Sequence, residues 1–151
     1  MLQSAGILVY RRNPHVEFFL VHPGGPFFAR KEVGVYTIPK GLIEAGEEPL
    51  NTAIREFEEE TGVKLNGDFI SLGEIVQKGG KAVQAWAIEK NIDAKNIKSN
   101  TFPLEWPPKS GKIKHFPEID RAGWYAFAEA SLLINERQKE FLLRLLQKMA
   151  G

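Results

Sequence analysis

The 151-residue sequence predicts an α/β domain. Three observations predict it. Short runs rich in β-forming residues are interleaved with amphipathic helical stretches. Several connections are long enough to bring strands side by side in parallel. Helical apolar spacing is concentrated in one segment near the middle and one at the C-terminal end. The length fits a single domain over residues 1–151 with one core.

Residues 4–10 and 16–22 are apolar and β-rich, and Arg11-Arg-Asn-Pro-His15 between them has turn chemistry, so two strands around a turn are expected. His22-Pro-Gly-Gly-Pro26 reads as a loop, and residues 33–38 as a short strand stopped by Pro39. The clearest helix is expected over residues 49–61. Pro49 suits the first helical position, whose N–H has no helical partner. Gly62 can end the helix in the left-handed conformation. Leu50, Ala53, Ile54 and Phe57 fall at i, i+3, i+4 and i+7 and give the helix one apolar face. Residues 69–77 and 81–89 flank Lys78-Gly-Gly and read as a hairpin. Residues 91–117 are polar and broken by Pro103, Pro107, Pro108 and Gly111, as in a long functional loop or one that hides short elements. A last strand is expected at 123–127. One or two helices are expected over 128–149, with Phe141, Leu142, Leu145 and Leu146 on one face.

Composition removes several function classes. With no cysteine, disulfides, thiolate zinc sites and a cysteine nucleophile are excluded. No apolar run approaches the roughly 20 residues of a membrane span, so no membrane partner is expected. The run at residues 5–10 is too short for a signal peptide and its arginines follow rather than precede it, so a cytoplasmic location is expected. A net charge of +1 gives no whole-protein footprint for nucleic acid. Charge is nevertheless segregated. Residues 44–60 hold seven glutamates against one arginine, and residues 78–114 hold eight lysines against three acids. An acidic block and a basic block suit metal ions and phosphates, and they also suit two solvated faces.

The segment Gly41-Leu-Ile-Glu-Ala-Gly-Glu47-Glu-Pro-Leu-Asn-Thr-Ala-Ile-Arg55-Glu56-Phe57-Glu58-Glu59-Glu60-Thr61-Gly62-Val63 carries the chemistry. Glu56, Glu59 and Glu60 stand three and four apart, so they share a helix face, expected opposite Leu50, Ile54 and Phe57. Like charges at this spacing cost about 0.2–0.5 kcal/mol per pair. They also crowd the helix C-terminus, where the macrodipole disfavours anions. Arg55 is expected to pair with only one or two of them. A stripe of this kind needs either free solvation or a cation. Hard divalent ions take oxygen ligands, and magnesium binds through one or two carboxylates together with phosphates and water.

The spacing matches the Nudix box, G-x5-E-x7-R-E-U-x-E-E-x-G-U with U apolar, through Gly41, Glu47, Arg55, Glu56, Phe57, Glu59, Glu60, Gly62 and Val63. A chance match in a chain of this composition is roughly one in a million. The chain therefore resembles the MutT-like Nudix hydrolase superfamily. Tyr36-Thr-Ile-Pro-Lys-Gly41, Asn100-Thr-Phe-Pro-Leu-Glu-Trp-Pro-Pro-Lys109 and Phe116-Pro-Glu-Ile-Asp-Arg-Ala-Gly-Trp124 resemble a bacterial subgroup of predicted nucleoside-triphosphate pyrophosphohydrolases.

That resemblance implies a mixed sheet sandwiched between helices, with the box as a loop–helix–loop. It implies Glu56, Glu59 and Glu60 as ligands of Mg²⁺, with Mn²⁺ a possible substitute, joined by the carbonyl of Lys40 or Gly41. Arg55 would hold the glutamates in place, Glu47 would brace the loop or reach the metal through water, and Glu56 or Glu59 would be the base. Glu118 is a candidate ligand outside the box, weighed equally against an ordinary loop carboxylate. The implied reaction is attack of water on phosphorus in a diphosphate bond of a nucleotide such as a nucleoside triphosphate or dinucleoside polyphosphate. Lys40, Lys78, Lys81, Lys109 and Lys112 are candidate phosphate contacts. Phe27, Phe28, Trp86, Trp106 and Trp124 are candidates to stack on a base, against the commoner role of aromatics as core. No tyrosine lies between Tyr36 and Tyr125, unlike the dinucleoside-polyphosphate branch, and residues 73–80 lack the proline of the ADP-ribose branch. His15, His22 and His115 are scattered and make no expected metal triad. Two alternatives stand beside the enzyme: a non-catalytic nucleotide-sensing regulator, and an enzyme acting on the 5′ end of RNA. No oligomeric state is expected from the sequence.

Overall fold

A computed structural model of the chain describes residues 2–12 and 14–151. Strand β1 (Gln3–Arg12) and β2 (Val16–Pro23) form the first hairpin. Asn13, which falls in the turn expected from the sequence, lies outside the described residues. Then follow β3 (Lys40–Leu42), α1 (Pro49–Thr61), β4 (Ile70–Val76) and β5 (Ala82–Glu89). After them come β6 (Thr101–Glu105), β7 (Ile113–Pro117), β8 (Ile119–Ala126), α2 (Phe127–Leu133) and α3 (Lys139–Ala150).

The main sheet runs β4-β5-β1-β2-β8, with β3 on the same edge of β1 as β2. β1 and β5 are parallel, from Gln3 beside Ala82 to Tyr10 beside Glu89, and the remaining pairs are antiparallel, so the sheet is mixed. β1 gives its first half to β3 and its end to β2. That fork brings Lys40 and Gly41 to the centre of the sheet, beside the start of β1.

Both faces of the sheet are covered, which is why β1 reads as a continuous apolar run. Leu8 and Tyr10 point into a cluster with Phe18, Leu20, Phe141, Leu142 and Leu145, beneath α2 and α3. Ala5, Ile7 and Val9 point the other way, onto Phe19, Val21, Ala53 and Phe57, beneath α1. No described helix is long and apolar enough to cross a membrane.

Two sequence expectations change, at residues 33–38 and at the start of β8, and for residues 91–117 the alternative of hidden short elements holds. Residues 33–38 form no strand; only Tyr36 and Thr37 make isolated bridges, to Ile134 and Val21. The segment instead lies between the sheet and the end of α2, with the Tyr36 amide donating to Leu133 O at 2.9 Å. The supposed loop at 91–117 contains a 3-10 turn (Ala94–Asn96) and the β6–β7 hairpin, a separate two-stranded sheet. Prolines hide this hairpin from the sequence. Pro103 and Pro117 occupy a ladder that nothing else flanks, where a missing N–H is tolerated. Finally, β8 begins at Ile119, four residues before the expected strand.

Candidate functional site

The helix that carries the site is shaped by its two ends. Pro49 opens it, and Gly62 closes it in the left-handed region at φ 82°, its amide donating to Glu58 O at 2.8 Å. The last carbonyls of a helix have no partner inside it. Here the segment leading to β6 supplies two: the Asn100 amide donates to Glu59 O and the Lys98 amide to Thr61 O, each at 2.8 Å. The Glu118 amide then donates to Asn100 O, and the Gly24 amide to Glu118 O, again at 2.8 Å each. Capping of α1 thus anchors Glu118 beside its last turn.

Arg55 is the hub. Its Nε donates to Glu47 Oε2 at 2.7 Å and its Nη2 to Glu47 Oε1 at 3.0 Å. Its Nη1 donates to Glu56 at 3.2 Å and to both oxygens of Glu59 at 3.1 Å. Of the three stripe glutamates Arg55 thus reaches two, as expected, and its planar fork of five N–H donors also leaves two for Glu47 outside the stripe. Glu47 also accepts from the Thr52 hydroxyl at 2.8 Å and the Glu44 amide at 3.1 Å. With Arg55 as the main cause, its carboxyl is held down at about 2. Glu47 therefore braces the loop to α1.

Glu60 departs from the expected arrangement. It lies three residues after Phe57 and seven after Ala53, on the buried side of the helix rather than opposite it, and is only 7% exposed. Leu50 and Ile54 are half-buried rather than core. Burial, and then the charges of Glu56 and Glu118, push the Glu60 carboxyl up to about 9, against the pull of Lys40. Lys40 is half-buried, and loss of water pushes its ammonium pKa down, with Lys81 adding repulsion. Glu56 is raised to about 7 by burial and then by Glu59. Glu118 is raised by burial and then by Glu59. Gly41 sits directly on Glu56, where a Cβ would fall 2.0 Å from the carboxyl. Only glycine lets the backbone carrying the Lys40 and Gly41 carbonyls come this close.

The structure thus gathers Lys40, Gly41, Glu47, Arg55, Glu56, Glu59, Glu60 and Glu118, with Lys81 within electrostatic reach of Lys40. Among the described residues no three carboxylates or imidazoles converge into a ready-made cage. Arg55 draws Glu47, Glu56 and Glu59 toward itself instead. The donor set fits a hard divalent cation on chemical grounds. It is all oxygen, it holds more anionic groups than Arg55 and Lys40 can neutralise, and three of its carboxyls are raised by burial.

The aromatic candidates separate. Trp86 packs half-buried against the cluster under α1. Trp124 donates to Ile92 O at 2.9 Å and lies against Phe19 and Arg11. Phe28 is 37% exposed, with the Lys31 ammonium 5.8 Å from its ring. Phe27 and Trp106 meet each other at 5.5 Å on the protein surface. His15 and His115 are exposed, and His22 is buried between the Asp120 carboxylate and Lys31 O. Lys78, Lys109 and Lys112 are exposed and remote from the helix in sequence. Sequence reasoning missed the capping role of Lys98 and Asn100. Backbone amides of a polar loop leave no composition signal.

Residues 2–145 match the family described as NUDIX domain. Among curated proteins, the asymmetrical bis(5′-nucleosyl)-tetraphosphatase of Rattus norvegicus is 32% identical over 101 residues, covering 58% of this chain. That match spans 65% of the rat protein's own length. A probable DHNTP pyrophosphohydrolase of Lactococcus lactis is 44% identical over 59 residues, 39% of this chain and 30% of that protein. Among solved structures, a C. elegans Ap4A hydrolase binary complex superposes with a TM-score of 0.71 at 19% identity, covering 98% of each chain. The NUDIX domain of Shewanella oneidensis NrtR, complexed with ADP ribose, gives 0.66 at 12% identity, covering 100% of this chain and 89% of that one. At these identities the structural likeness concerns the fold.

Proposed function

This chain belongs to the NUDIX domain family, and from that premise we propose that it hydrolyses a phosphoric anhydride bond in a nucleoside polyphosphate with the help of divalent cations. One observation carries the reading: four carboxyls, Glu56, Glu59, Glu60 and Glu118, crowd one end of α1, and the structure supplies too few cations to balance them. The relatives named as a tetraphosphatase and a DHNTP pyrophosphohydrolase support a nucleotide substrate. A nucleoside triphosphate and a dinucleoside polyphosphate both contain the required bond.

Glu56, Glu59 and Glu60 would hold the cation, with the Lys40 or Gly41 carbonyl beside them and Glu118 completing the set from outside the helix. When bound, Mg²⁺ or Mn²⁺ polarises the phosphoryl group and neutralises charge on the leaving phosphate. The chain's own residues do the rest. Glu56 or Glu59 accepts the proton of the attacking water. Arg55, clamped by Glu47, fixes the rotamers of Glu56 and Glu59. Lys40 balances Glu60 and, with Lys81, offers positive charge to the phosphates.

The decisive test is hydrolysis of ATP, diadenosine tetraphosphate and a nucleotide sugar with both products identified, in Mg²⁺, in EDTA, and after Mg²⁺ or Mn²⁺ is restored. Activity is expected to vanish in chelator and return with metal. Turnover that persists in EDTA would sink the proposal.

A further inference from the structure

Between Thr37 and Gly41 the chain crosses from one strand of the main sheet to another. Thr37 exchanges both backbone hydrogen bonds with Val21 of β2, each at 3.0 Å. Three residues later Lys40 pairs with Gly6 of β1, and Gly41 with Ala5. The ladder has a gap between these two pairings. Pro39 has no N–H to give, and Ile38 is fully buried. The Ile38 amide donates instead to the side-chain Oε1 of Gln138 at 2.9 Å, and the Thr37 hydroxyl stands 3.0 Å from the same oxygen. A buried N–H without a partner is costly, so this one side chain completes the crossing.

Gln138 ends a 3-10 turn (Glu136–Gln138) between α2 and α3, and only 1% of it is exposed. It reaches the crossing from the face of the sheet opposite α1. The Ile38 amide can only donate, which identifies the oxygen end of the Gln138 carboxamide. The nitrogen end donates to Gln77 Oε1 at 3.1 Å. Gln77 is itself fixed, its amide donating to Lys81 O at 2.7 Å and its carbonyl accepting from the Gly80 amide at 3.0 Å. On the other side of the crossing the packing leaves no slack. A Cβ on Gly6 would fall 2.7 Å from the Lys40 Cβ, and a Cβ on Gly41 2.0 Å from the Glu56 carboxyl. A small shift of the backbone at Ile38 therefore moves the Lys40 and Gly41 carbonyls relative to Glu56.

Resting on the metal-site reading above, we propose that Gln138 is a positioning residue for the carboxylate site: anchored on Gln77, its side-chain oxygen holds the Ile38 amide and so seats the Lys40–Gly41 backbone against Glu56. Gln138 acts from the far side of the sheet, through backbone alone. Losing a group that orients the ligands of a metal site typically weakens metal binding by about 10–100-fold.

The test measures Mn²⁺ binding by electron paramagnetic resonance in the full-length protein without nucleotide, beside the Mg²⁺ concentration that gives half-maximal ATP hydrolysis. In Gln138→Leu both are expected to rise about tenfold, while kcat at saturating metal stays within a few-fold of wild type. Gln77→Leu, which removes only the anchor at a half-buried position, should weaken Mn²⁺ binding by a smaller factor in the same direction. Gln138→Glu should bind Mn²⁺ nearly as well as wild type. Burial favours its protonated form, which keeps an acceptor for Ile38 and a donor for Gln77. Should Gln138→Leu fail to fold, Gln77→Leu decides the matter. If the wild type binds Mn²⁺ and the folded variants bind it equally well, or lose only thermal stability, the proposal is overturned. The same holds if Gln138→Glu is as weak as Gln138→Leu. If the wild type binds no Mn²⁺, the metal-site reading itself has failed, and the positioning role falls with it.

Discussion

Glu60 and Glu59 are neighbours in the sequence with different surroundings. Glu59 is half-exposed and held by Arg55, whereas Glu60 is buried against Lys40. Glu59→Gln and Glu60→Gln are each expected to lower turnover by orders of magnitude with the far-UV circular dichroism unchanged, because each replaces an anionic carboxylate by a neutral amide of nearly the same volume. Near-wild-type turnover in both would end the ligand assignment.

The same pair separates by stability. The Glu60 carboxyl is raised from 4.5 to about 9 on folding, so folding favours its neutral form. Its contribution is complete below about 4.5 and is lost as pH rises through about 9. The Tm of chelated wild-type protein should therefore fall from pH 5 toward pH 9 more steeply than that of Glu60→Gln, whose amide stays neutral. Parallel melting profiles for the two would refute this account of burial.

At the scale of elements, α1 depends on how it ends. Gly62 sits at φ 82° with a Cβ position 3.2 Å from Lys98, so Gly62→Ala meets both backbone strain and a tight contact. A left-handed non-glycine residue costs about 1–2 kcal/mol. In a domain of this size that lowers Tm by roughly 2–8 °C, and a melt with no shift would show that the cap can relax.

The outer strand β4 shows another element-level device. The Arg144 Nη1 donates to Leu72 O at 2.9 Å and Glu74 O at 3.0 Å, covering carbonyls on an edge that no strand pairs. Exposed edges invite pairing with other chains. Arg144→Ala should raise self-association in concentrated solution, measured by light scattering. Monodisperse variant protein at the same concentration would count against the covering role.

For the whole molecule, the sheet carries two cores, and only the one beneath α1 supports the site. Phe57 is fully buried there and contacts Phe19 at 5.8 Å between ring centroids. Phe57→Ala is expected to cost about 3–5 kcal/mol, a large share of the 5–15 kcal/mol typical of a domain. The midpoint of urea unfolding measures it, and a loss below 1 kcal/mol would mean α1 is held mainly by its caps.

The sequence by itself determined the helix at Pro49–Thr61, because proline, glycine and apolar spacing are local signals that tertiary contacts did not need to override. It also determined which glutamates are candidates, since their spacing in the motif is one-dimensional. It did not reveal the β6–β7 hairpin, whose prolines argue locally against a strand and whose ladder forms only between residues brought together in space. Helical spacing from Ala53 and Phe57 already put Glu60 on the buried side, but the extent of its burial and its pairing with Lys40 were visible only in the structure. The approach of Glu118 to α1, and the meeting of Phe27 with Trp106, were decided by tertiary structure alone. Backbone capping bonds and side-chain burial depend on where distant segments meet, which no local pattern encodes.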